Sequence, residues 1–116
     1  VAIIDLTSLP GINKYTDFED ISVANCPFQE NIAYSKKQWC IWVGDVGNNA
    51  EWGKGTFMYV VNEPEIEPEL LKLNEPMNII PSYSITFRIK YEGYEDTKGP
   101  NVEAMTTAVD GSKFWV

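Results

Sequence analysis

Residues 44–49, Gly-Asp-Val-Gly-Asn-Asn, combine the residue types in this chain best able to do chemistry at short spacing. Gly44 and Gly47 can take backbone angles closed to other residues. Asp45 supplies a carboxylate, and Asn48 and Asn49 supply amides. All three side chains are oxygen donors, suited either to fixing a backbone corner or to binding a hard cation such as Ca²⁺. Trp52 follows in a glycine-flanked turn and is the tryptophan placed to bind a ligand.

Catalytic chemistry has less to work with. The chain has no histidine, so neither a Ser-His-Asp or Cys-His arrangement nor a histidine metal site can be built from it. It has no Gly-x-Ser-x-Gly elbow, and Gly53-Lys54-Gly55 lacks the rest of a phosphate loop. Paired carboxylates could act as general acid and base, but such pairs are common in an acidic chain. No residue is assigned a catalytic role.

The turn needs strands to hold it. Residues 39–43 and 56–61 are short apolar runs rich in β-branched and aromatic side chains, the pattern of strands buried on both faces. Residues 83–91 alternate Tyr83, Ile85, Phe87, Ile89 and Tyr91 with polar neighbours, a period of two that predicts a strand with one wet face. Residues 1–6 and 21–24 are further strand candidates, and 25–37 reads as an inserted loop. Pro64, Pro68, Pro76 and Pro81 break 62–81 into a surface loop with room for one helical turn near 69–73. Three of the four tryptophans, Trp39, Trp42 and Trp115, lie among apolar strand residues and are expected in the core. Cys26 and Cys40 stand fourteen positions apart, each beside a strand end, and are expected to form a disulfide worth about 3 kcal/mol. Two reduced cysteines are the alternative.

Taken together, four motifs carry a resemblance. They are Asp17-Phe18-Glu19-Asp20, the turn at 44–49, Tyr59 with Glu63-Pro64, and Glu103-Ala104. In this order they resemble the blade motifs of a family of secreted β-propeller proteins, many of them uncharacterised, over nearly the whole chain from residue 17 onward. Asn48 stands where that family usually has Asp, and Lys54 near where it often has Arg. The resemblance implies an all-β fold, a β-propeller fragment spanning 1–116, with one four-stranded blade at 18–91 and the next beginning near 102. It also implies export, which agrees with a disulfide.

A short internal repeat fits that reading. Residues 18–24 align with 102–108, an offset of 84, so Glu19 and Glu103 occupy equivalent positions. On innermost strands both carboxylates would face a central channel, with Asp45 near its mouth, and converging carboxylates call for a cation. Glu19, Asp45 and Glu103 are thus the candidate metal ligands and Ca²⁺ the candidate cofactor. The alternative is that all three bond backbone groups within and between blades.

The expected function is a binding or assembly module of a secreted, extracellular protein, with the remaining blades or other protein chains as partners. Part of a Ca²⁺-dependent propeller hydrolase of the esterase or phosphatase type, and a structural subunit of an extracellular assembly, are the alternatives. A net charge of −8 argues against nucleic acid or an anionic membrane surface as partner, and no apolar stretch is long enough to span a bilayer. Starting at Val1 and ending within an apparent strand at Phe114-Trp115-Val116, the chain reads as part of a longer protein.

Overall fold

The structure, a computed structural model, describes residues 2–14, 16–47, 55–69, 72, 76–94 and 100–116. Three strands lead up to the polar turn or away from it: β2 (Asp20–Asn25), β3 (Trp39–Asp45) and β4 (Thr56–Asn62). Together with β6 (Ser84–Ile89) they form a four-stranded antiparallel sheet in the order β2-β3-β4-β6. The central pair carries the β-branched and aromatic runs and is buried on both faces, because apolar structure lies above and below it. The sheet is therefore antiparallel throughout, with its four strands side by side in chain order, consistent with a propeller blade.

Register decides which face each side chain takes. Trp42 pairs with Val60 and Ser22, and Met58 with Phe87, so one face gathers Ala24, Cys40, Trp42, Met58 and Val60. Ile85, Phe87 and Ile89 pack on this cluster, as the alternation in 83–91 predicts. A hairpin of β7 (Thr106–Thr107) and β8 (Phe114–Trp115) closes it, adding Met105 and Phe114. The Trp42 and Phe87 rings stack 6.2 Å apart at its centre.

The opposite face holds Val43, Tyr59 and Val61, with Ile41 and Phe57 partly buried beside them. The N-terminal segment covers it through Ile4, Leu6, Leu9 and Ile12. Within that segment β1 (Ala2–Ile4) pairs in parallel with β5 (Met77–Ile79), forming a separate two-stranded sheet. Residues 62–81 thus contain a strand where a surface loop with room for one helical turn is expected. The Lys72 N–H bonds the Glu69 carbonyl at 3.2 Å in the region of the expected helical turn, most of which lies outside the described residues.

Cys26 and Cys40 form the expected disulfide, with Cα atoms 4.9 Å apart. It ties the end of β2 to β3 and closes the loop at 27–39, which contains a short 3₁₀ turn (Tyr34–Lys36). Gln29 completes the closure. Its buried side chain donates to the Cys26 and Gln38 carbonyls and accepts the Gln38 N–H at 2.9 Å. Among the described residues no helix is long and apolar enough to cross a membrane.

Candidate functional site

Asp17-Phe18-Glu19-Asp20 runs into β2 beside the end of β3, and each of its four residues has a separate task. The Asp17 N–H donates to the Asp45 carboxylate at 2.8 Å. The Phe18 ring meets Tyr59 edge-on, with centroids 6.0 Å apart. Glu19 donates its N–H to the Gly44 carbonyl at 3.0 Å. Asp20 accepts two backbone N–H groups, from Ile21 at 2.8 Å and from Met105 at 2.9 Å. These two bonds, Met105 first, hold the Asp20 pKa below the usual carboxylate value.

Asp45 closes β3 and is buried, which suits a carboxylate that accepts a backbone donor in place of water. Gly47 follows two residues later, where two acidic side chains crowd the backbone. A β-carbon there would collide with the carboxylate oxygens of Glu19 and Asp17. Gly44 is similarly close-packed, its missing β-carbon facing the Met105 sulfur.

Tyr59 lies on β4 behind this corner and is fully buried. Its hydroxyl sits against Gly11, which takes φ +96°, so a side chain at position 11 would be strained by the backbone angle and crowded by the hydroxyl. The Tyr59 oxygen has no hydrogen-bond partner of normal geometry, and Asp45 acts on it electrostatically. Burial first, and the Asp45 charge second, raise its pKa far above that of an ordinary phenol. Tyr59 is therefore neutral near pH 7, its ring filling the core and its hydroxyl facing the Asp45 carboxylate.

Glu19, Asp45 and Glu103 all border this end of the sheet. The Glu103 segment reaches it through the Val102 N–H, which bonds the Val46 carbonyl at 3.4 Å. The Glu103 side chain is exposed and accepts from the Asn101 amide. Among the described residues, no three His, Cys, Asp or Glu side chains gather closely enough to hold a metal ion. What the arrangement does visibly is join: β2 to β3 through Asp17 and Asp45, and the sheet to the hairpin through Asp20. Asn48, Asn49, Trp52 and Lys54 lie outside the described residues.

Asp17, Asp20 and Tyr59 belong to the motifs at 17–20 and 59–64, but the motifs give them no role at this corner. Trp39 is another. Expected in the core with Trp42, it is 39 % exposed, and Trp115 is 54 % exposed, because both stand at strand ends beyond the covering segments.

Comparison with known proteins found no matching family model, no similar curated protein and no similar solved structure.

Proposed function

We propose that this chain is a binding or assembly module of a secreted β-propeller protein, its four-stranded sheet acting as one blade. The observation that carries this reading is the apolar outer edge of β2. Ile21 and Val23 are 63 % and 56 % exposed, whereas their partners across the ladder, Val43 and Ile41, are buried or half-buried. Two β-branched side chains in sequence alternation on a strand are what a neighbouring sheet or chain would cover.

Backbone pairing supports the same edge. The Cys26 N–H bonds the Gln38 carbonyl on the β3 side, whereas the Asn25 N–H points the other way, to the Val109 carbonyl. By antiparallel alternation the odd positions of β2 face away from β3, which aims the Val23 N–H outward between the Ile21 and Asn25 sites. The disulfide fits an oxidising, extracellular compartment. Partners are further blades or other protein chains that meet this edge.

Hydrogen exchange tests the reading. Protection of the Val23 amide should rise with protein concentration, while amides inside β4 stay unchanged. Exchange at Val23 that is independent of concentration would show the edge to be simply solvated, and the assembly role would fall.

A further inference from the structure

The end of the sheet remote from the acidic corner carries a cleft of about 700 Å³, formed where β3 begins, β4 ends and residues 79–82 turn toward β6. That volume suits a small organic ligand or a few linked sugar rings. Its lining combines Lys37, Trp39, Asn62, Glu63, Glu65 and Ile80. We propose that this cleft is a saccharide-binding site with Trp39 as its stacking platform, a role separate from the assembly edge at Ile21 and Val23.

The chemistry of the lining selects the ligand class. A sugar hydroxyl both donates and accepts, and here donors (the Lys37 ammonium and the Asn62 amide) share one cleft with acceptors (the Glu63 and Glu65 carboxylates). Sugar rings also present C–H faces, which lie favourably on an exposed indole. A simple anion is opposed by two carboxylates, and a simple cation by Lys37. An extended peptide would need an open strand edge, yet β3 and β4 are both interior strands with their backbone groups already paired.

The backbone that carries the platform is also held in place before any ligand arrives. The Glu63 N–H bonds the Trp39 carbonyl at 3.0 Å, which fixes the acid beside the tryptophan. Asn62 accepts the Tyr83 N–H at 3.0 Å and donates to the Glu63 carbonyl at 3.3 Å, clamping the rim between β4 and β6. On the other side Gln38 is locked by Gln29, and Cys40 by the disulfide, so Trp39 is flanked by two fixed neighbours. With the backbone fixed in this way, only the side-chain torsions of the indole are left to be ordered on binding.

The test is an array of immobilised hexose, N-acetylhexosamine and uronic acid oligosaccharides probed with the full chain, followed by titration calorimetry on any hit. At least one oligosaccharide class should bind. Trp39→Ala should weaken binding about tenfold or more, as loss of an anchoring tryptophan does. Trp39→Phe should recover much of it, and Tyr94→Ala, at an exposed site elsewhere, should match the wild type. If Trp39→Ala fails to fold by circular dichroism, Glu63→Gln with Glu65→Gln carries the test and should weaken binding by a similar factor. No binding to any class at millimolar concentration, or binding untouched by these substitutions, overturns the proposal.

Discussion

The Asp20 carboxylate accepts the backbone N–H of Met105 at 2.9 Å, joining positions 85 residues apart in the chain. The same residue bonds the Ile21 N–H at the start of β2, so one side chain fixes both the strand and the hairpin that packs across it. Ser22 and Thr107 add a hydroxyl contact of 2.6 Å alongside.

This bond sets an acid limit to stability. Because the folded Asp20 pKa is lowered, its contribution is present above the unfolded carboxylate pKa, about 4, and is lost as pH falls through the folded value. Asp20→Asn should be less stable than wild type at pH 7. The gap should narrow as the solution is acidified below about pH 4. Denaturant melts across this range check it, and a gap that stays constant with pH would remove Asp20 from the account.

Tyr59 sets the opposite limit. With its pKa raised by burial and by Asp45, its contribution is present below the unfolded phenol pKa, about 10, and is lost as pH rises toward the folded value. Tyr59→Phe deletes a hydroxyl that has no hydrogen-bond partner, so at pH 7 it should lie within about 1 kcal/mol of wild type. Above pH 10 it should be the more stable of the two. A large loss at pH 7 would mean that the hydroxyl has a partner after all.

Two glycines with positive φ separate strain from collision. Gly111 takes φ +70°, and a β-carbon there would strike the Asn25 backbone, whereas Gly93, at φ +82°, faces open space. Gly93→Ala should cost about 1 kcal/mol from backbone strain alone. Gly111→Ala should cost about 2 kcal/mol more, because the turn at 108–113 must lift off β2. Equal costs in equilibrium unfolding would show that the hairpin does not depend on this contact.

Calcium distinguishes joining residues from a metal centre. With Asp45 accepting the Asp17 N–H and the exposed Glu103 accepting from Asn101, these carboxylates are engaged within the protein, and the melting temperature should be the same in Ca²⁺ and in chelator. A rise with Ca²⁺ that Glu19→Gln abolishes would put a cation at the acidic corner instead.

Much of the sheet was legible in the sequence. The β-branched runs gave β3 and β4, the alternation from Tyr83 to Tyr91 gave β6, and cysteines beside strand ends gave the disulfide. The β1–β5 pair was hidden because three-residue strands far apart in sequence leave no periodic signal. At the acidic corner, residue types marked the place but not the work. Whether a carboxylate ligates a metal or accepts a backbone N–H depends on which distant segment arrives beside it, and for Asp20 that segment begins at Met105. The exposure of Trp39 was hidden for a like reason: strand pattern fixes its face, but not where the covering segment stops.

Sedimentation velocity over a concentration series, comparing wild type with Ile21→Lys/Val23→Lys, tests the assembly claim most directly. The account predicts that the wild type associates as concentration rises, because two β-branched side chains stand uncovered on a strand edge, and that the paired lysines abolish the association without loss of the folded sheet. A wild-type chain that remains a monomer throughout and unfolds in one cooperative transition would contradict it.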